Sequence, residues 1–241
     1  MDKKKLKIGL ITYRGNPSSG GQGIYINYLS RALSDLGHEV TVISGPPYPE
    51  IRKDIKLVKI PSLDLFSKKN KFLDVKFSKL FSLNNLKEWM SANSGGFPEP
   101  HTFGPRLKKF IEENADQFDV IHDNQTLCRE LISLQQKLPL VTTIHHPITK
   151  DLEFQLKSTN DFFLKLLIKR WHSFIPTQIK VAKKLKKIVV PSESSGKDVV
   201  KDFSLKDASI EVVHNGIDLG FFYPSDKPYD CLLYTSDAAD E

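Results

Sequence analysis

Residues suited to binding or proton chemistry recur in this chain directly after short apolar runs. Gly20-Gly21-Gln22-Gly23 comes shortly after Leu6 to Thr12, His122-Asp123 closes the run that starts at Asp119, and His145-His146 closes the run that starts at Pro139. Ser192-Glu193 follows Ile188 to Val190, and His214-Asn215 follows Ile210 to Val213. Bare glycine N–H groups at a helix start let an anionic group, most often a phosphate, approach closely. A glycine turn of this kind also serves as a plain connector, and both readings stand at this level. Imidazole, hydroxyl and carboxamide groups exchange hydrogen bonds with a polar substrate. No metal is expected, because His145 and His146 are adjacent, point to opposite faces if on a strand, and lack zinc-ligand separations.

The elements that must position these residues follow from periodicity. Leu6 to Thr12 reads as a strand buried on both faces. Tyr25, Tyr28, Leu29, Ala32, Leu33 and Leu36 share one face of a helix over Ile24 to Leu36, with Gly37 as its stop. His38 reads as a packing residue in the turn that follows. Glu39 to Ser44 is a second strand and Lys56 to Ile60 a third. A helix is predicted from Gly104 to Glu113, a strand over Asp119 to Asp123, a helix from Gln125 to Lys137 and a strand over Pro139 to His146. A long helical region follows from about Thr159, kinked or restarted at Pro176. Ile188 to Val190 is a strand, Ser192 an N-cap, Ser195 to Phe203 a helix and Ile210 to Val213 the last strand. Six or seven strands alternating with helices predict an α/β fold, a Rossmann-like doubly wound parallel sheet with helices on both faces. Ligands of such sheets bind beyond the carboxyl ends of the strands, where the candidates collect.

Composition narrows the class. With 39% hydrophobic and 27% charged residues, this is a globular chain, and no apolar run approaches the roughly 18 residues that cross a bilayer. The start of the chain lacks a signal-peptide pattern, so a cytoplasmic protein is expected. Of the two cysteines, Cys128 falls in a helical pattern and reads as packing. The net charge of +6 favours anionic partners. Residues 61–105 lose periodicity and interleave Phe66, Phe72, Phe77 and Phe81 with Lys68, Lys69, Lys71, Lys76 and Lys79. They read either as a solvated insertion with one or two packed helices or as a basic, aromatic lip for an acceptor or an anionic membrane. Nucleic acid is not an expected partner, since charge alone suggests it. A dinucleotide enzyme is disfavoured: Gly21-Gln22-Gly23 lacks the third glycine, and strand two ends in Ile43-Ser44-Gly45 without a carboxylate.

The residues resemble family 4 glycosyltransferases. The resemblance is carried by Gly20-Gly21 leading into Tyr28-Leu29-Ser30-Arg31-Ala32-Leu33, then Leu36-Gly37-His38-Glu39-Val40 and Asp119-Val120-Ile121-His122. It continues through Thr143-Ile144-His145, Val190-Pro191-Ser192-Glu193-Ser194, Val213-His214-Asn215-Gly216-Ile217-Asp218 and Phe222-Tyr223-Pro224. The landmarks stand in family order. They imply the N-terminal half of a two-domain GT-B fold that transfers a sugar, with retention, from a nucleotide-sugar to a lipid, glycan or small-molecule acceptor. The resemblance places Gly20, Gly21 and Gln22 in the loop facing the donor diphosphate and makes His145 the catalytic-cleft histidine. His122, Asp123, His146, Ser192, Glu193 and Asn215 become acceptor-side or cleft candidates. No cofactor is implied, the nucleotide-sugar being a co-substrate.

Residues 1–224 are thus expected to form the acceptor-side domain. Residues 225–241 are expected to be the start of a linker and a non-native tail, with the donor-binding domain absent and the fragment nearly inactive alone. The parent would be cytoplasmic or peripheral at the inner face of the membrane. The alternatives are a stand-alone basic module for acidic lipid or glycan, and a nucleotide-binding Rossmann protein of another class.

Overall fold

The computed structural model describes residues 4–17, 21–205 and 209–224. Seven strands form one sheet: β1 (Lys7–Thr12), β2 (Glu39–Ser44), β3 (Lys56–Lys59), β4 (Val120–Asn124), β5 (Leu140–Thr143), β6 (Lys187–Val190) and β7 (Ser209–Val212). Their order is β3-β2-β1-β4-β5-β6-β7 and every pairing is parallel. The doubly wound sheet expected from the sequence is therefore present. Strand order reverses between β1 and β4, where Ile8 pairs with Val120 and Ile11 with Asp123. That reversal opens a crevice at the carboxyl edge of the sheet.

Strand alternation builds a core on each face. Ile8, Leu10, Val40 and Val42 pack with Ile26 of α1 (Gly21–Asp35) on one side. Ile11, Ile43 and Ile121 belong to the larger core on the other side. Gly37 ends α1 at a φ of 91°, a conformation that suits glycine.

Four expectations change. The predicted helix over Gln125 to Lys137 shrinks to α4 (Leu131–Leu134). The Asp123 carboxylate accepts the N–H groups of Thr126 and Leu127, both at 3.3 Å, and the Thr126 hydroxyl. This wraps the chain into a turn, with Gln125 and Leu127 at φ of 50° and 48°, before any helix begins. Cys128 is buried in that stretch rather than in a helix, and burial pushes its thiol pKa up. The helix expected from Gly104 starts earlier, as α3 (Glu99–Glu113), because Pro100 sits in a first turn that needs no N–H partner. The long helical region expected from about Thr159 is two helices, α6 (Phe162–Trp171) and α7 (Ile175–Ala182), and a further helix, α5 (Thr149–Lys157), precedes it. Pro176 restarts the chain in the first turn of α7, and Asp161 caps α6 by accepting the Leu164 N–H at 2.9 Å.

Within 61–105, α2 (Leu83–Asn93) is packed: Leu63, Leu65 and Ala92 form a small core, and Glu88 meets Arg106 at 2.7 Å. Phe72, Phe77 and Phe81 nevertheless face solvent. Among the described residues no helix is long and apolar enough to cross a membrane.

Candidate active site

At the end of β1 the chain passes through buried Tyr13 and reaches α1 at Gly21, so Gly21 and Gln22 stand in the first helical turn instead of a preceding loop. Gly20 lies outside the described residues. Two glycines here have different duties. A Cβ on Gly23 would lie 2.2 Å from the Asn16 carbonyl oxygen, so the loop crosses directly over the helix start. Among the described residues, a Cβ on Gly21 would meet nothing within 4 Å. Gly21, the first residue described in α1, lines the crevice, where the partial positive charge of a helix start falls.

Across the crevice, β4 and β5 supply a hydrogen-bonded set. His145 Nε2 lies 2.6 Å from Asn124 Oδ1, and the Asn124 amide donates to the Gln22 carbonyl at 3.4 Å. Gln125 accepts the His145 N–H at 2.7 Å and donates to the His146 carbonyl at 2.8 Å. The Tyr25 ring meets the His145 imidazole edge-on at 4.6 Å. Burial, and then the neighbouring His146, lower the His145 pKa to about 4. His145 is thus a neutral imidazole, with Nε2–H given to Asn124 and Nδ1 left as the acceptor nitrogen.

These groups form one wall of a cleft of about 650 Å³. The opposite wall comes from helices after β5: Asp151, Phe154 and Gln155 of α5 and Trp171 of α6, with Phe97 and Phe174 beneath. His146 Nε2 stands 3.0 Å from Asp151 Oδ2. Arg14 reaches the same cleft, 3.5 Å from buried Glu99 and over the rings of Phe66 and Phe97. Among the described residues Glu99 Oε2 has no hydrogen-bond partner, and burial outweighs Arg14 to raise its pKa to about 8.

Of the sequence candidates, Gly21, Gln22, His145, His146 and Asn215 line this cleft together. His145 and His146 lie past the end of β5, which removes the strand argument for opposite faces. The other four are placed elsewhere. His122 is inside β4, bonded to the Thr143 hydroxyl at 2.7 Å, and burial lowers its pKa to about 4. Asp123 is fully buried and holds the following turn. Ser192 caps α8 (Glu193–Phe203) by accepting the Ser195 N–H at 3.1 Å, and neither it nor Glu193 is among the cleft-lining residues. His38 accepts the Leu6 N–H at 3.3 Å, a structural contact. Sequence reading missed Arg14, Tyr25, Gln125, Asp151, Phe154 and Trp171. Among the described residues no three His, Cys, Asp or Glu side chains gather as a metal-binding group.

A crevice at the switch point, lined by a helix start and a neutral histidine, suits a substrate carrying both phosphate and hydroxyls. The model of Glycosyltransferase Family 4 matches residues 19–221, which include every described lining residue except Tyr13 and Arg14. The chain belongs to this family. It is 37% identical over 221 residues to the MMP alpha-(1->4)-mannosyltransferase of Mycolicibacterium hassiacum, covering 91% of this chain and 54% of that protein. It therefore spans about half the length of the curated relative it matches. Among solved structures, sucrose-phosphate synthase from Thermosynechococcus elongatus superposes with a TM-score of 0.57 at 17% identity, over 92% of this chain and 51% of that one. Arabidopsis thaliana UGT89C1 complexed with quercetin gives 0.52 at 14% identity, over 98% of this chain and 55% of that one. At such identities these two likenesses speak for the family fold alone.

Proposed function

We propose that this chain is the acceptor-side half of a retaining glycosyltransferase that moves a mannosyl-type sugar from a nucleotide-sugar to a lipid, glycan or small-molecule acceptor. The single observation that carries the reading is Gly21, at the start of α1, lining one cleft together with neutral His145 at the switch point of the sheet. The mannosyl assignment rests on the name of the relative. In the reaction, the bond from the anomeric carbon to the diphosphate oxygen breaks and a bond to the acceptor oxygen forms. The acceptor proton leaves with the diphosphate. The N–H groups at Gly21 and Gln22 steady the departing negative charge, and His145 Nδ1 accepts a sugar hydroxyl. No metal takes part, so chelation with EDTA leaves the rate unchanged.

The chain spans 54% of the relative's length, and on this reading the 241-residue chain alone transfers sugar at a small fraction of an ordinary rate. The test assays this chain beside a form extended to the relative's length, using nucleotide-activated mannose and reading product anomers by NMR. Transfer with retention by the longer form alone is expected. Ordinary turnover by the short chain, or an inverted product, would refute the corresponding part.

A second reading concerns location: a cytoplasmic enzyme seated peripherally on an anionic membrane. Phe162, Phe163, Leu166 and Leu167 of α6 are more than half exposed, alongside Lys165 and Lys169, and Phe72, Phe77 and Phe81 extend the exposed set. Such a mixture suits the boundary between headgroups and acyl chains. Co-sedimentation with anionic vesicles should occur at low salt and weaken at high salt. Lack of binding would remove this reading, and with it the stand-alone lipid-binding module, while leaving the enzyme reading intact.

A further inference from the structure

We infer that the aromatic wall of the cleft is the acceptor subsite and that it takes a saccharide. The terminal pyranose ring lays its C–H face on Trp171 while Asp151 and His146 bind hydroxyls at the ring edge. This rests on the glycosyltransferase reading and narrows its acceptor to glycans.

Trp171 is built as a fixed platform. One face stacks on Phe97 at 5.1 Å and 26°, and Phe66 meets it edge-on at 5.4 Å. The residue nonetheless stays 37% exposed and lines the cleft. The adjoining residue pins the end of α6 in place. Arg170 donates to the Ser94 hydroxyl at 2.8 Å, to Ser91 at 3.1 Å and to Ser173 at 2.9 Å. Gly96 permits this, since a Cβ there would stand 2.3 Å from the guanidinium. A ring held this way loses little freedom when a ligand stacks on it.

The chemistry beside Trp171 selects a sugar. A pyranose has one face of C–H bonds, slightly positive, and a rim of hydroxyls. An aromatic face is negative, so the two attract. A hydroxyl rim needs polar partners, and Asp151 and His146, 3.0 Å from each other, line the same cleft as Trp171. A lipid tail asks for the reverse, a long surface without polar groups. Such a surface exists on α6, at Phe162, Phe163 and Leu166, but none of the three lines the cleft. The helix thus divides its apolar residues, with Trp171 lining the cleft and Phe162, Phe163 and Leu166 exposed to solvent.

The test uses the 241-residue chain without a donor. The chain is mixed with α-(1→4)-linked mannotetraose, or with dodecyl phosphate as a lipid-like probe, and saturation-transfer NMR reads which ligand protons touch aromatic residues. Ring C–H protons of a terminal mannose should be saturated most strongly. Trp171→Ala should weaken binding about tenfold or more, and Trp171→Phe should restore most of it. Asp151→Asn changes an exposed side chain without threatening the fold and should weaken mannotetraose binding several-fold. Absence of mannotetraose binding, binding indifferent to both substitutions, or dodecyl phosphate binding in the same cleft would overturn the inference. None of those results bears on whether the longer form cleaves a nucleotide-sugar, so the two readings fail separately.

Discussion

The Oδ1 of Asn124 and the Nε2 of His145 lie 2.6 Å apart, and the amide nitrogen of Asn124 is already committed to the Gln22 carbonyl. Asn124 can therefore only accept from His145, which fixes the imidazole as its Nε2–H tautomer. One residue at the end of β4 thus sets what a histidine after β5 offers to the cleft, and ties both to the first turn of α1.

Changing that partner should move a measurable titration. His145 has a pKa near 4 because burial, and then His146, disfavour its charged form. Asn124→Asp places a carboxylate against Nε2–H and favours the imidazolium, so the midpoint should rise by about 1–2 units. NMR titration of the ring protons in this chain reads it directly. In the longer enzyme the acid limb of the pH–rate profile should shift upward with it, since only the neutral form keeps Nδ1 as an acceptor. An unmoved midpoint would mean that Asn124 does not control the tautomer.

Gly21 and Gly23 are two residues apart and should respond oppositely. Gly23→Ala drives a methyl against the Asn16 and Gly15 carbonyls and should cost about 2 kcal/mol or more in urea unfolding. Gly21→Ala meets nothing among the described residues and should change stability by less than about 1 kcal/mol. Gly21→Val should keep the fold too, yet in the longer enzyme it should abolish most transfer by filling the anion's approach. If Gly21→Val binds donor normally, the helix start is not where the diphosphate sits.

The sheet was readable because β1 and β2 are short runs rich in β-branched and aliphatic residues, buried on both faces after their first residue. Gly37, Ser192 and Pro176 were readable because each acts locally, through φ, a cap or a missing N–H. The turn after β4 was not. Leu127, Leu131 and Leu134 keep helical spacing and are all buried, but the Asp123 carboxylate captures the donors that would have begun the helix. The same local event shifted the site. The residues bonded to His145 are Asn124 and Gln125, one to two residues beyond the pair His122 and Asp123 picked from the run. Asp151 and Trp171 were unreadable for another reason. They come from helices that fold back across the crevice, a tertiary arrangement that no spacing encodes.

Asp123 should behave as a structural residue. It is fully buried and accepts two backbone N–H groups and the Thr126 hydroxyl. Asp123→Ala leaves those donors without their acceptor and should cost about 3 kcal/mol, read from the urea midpoint. Because the turn carries Gln125, whose side chain holds the His145 N–H, the His145 titration should also broaden or shift. A stable Asp123→Ala protein with lost activity alone would instead return Asp123 to the chemistry.

Glu99 gives the chain a pH dependence with a definite sign. Burial raises its pKa from 4.5 to about 8, and Arg14 at 3.5 Å reverses only part of that. A group whose folded pKa lies above its unfolded one contributes stability that is complete below the unfolded value and is lost as pH rises through the folded value. The loss should begin near pH 4.5, reach a few kcal/mol by about pH 8, and then level off. Asp123, whose pKa burial raises to about 7, adds a slope of the same sign. The difference between wild type and Glu99→Gln isolates Glu99, because Asp123 is common to both. Urea unfolding at intervals from pH 4 to 9 should show that difference moving steadily against wild type. A difference constant with pH would mean that Glu99 stays ionised beside Arg14, an ion pair under the cleft floor instead of a neutral acid.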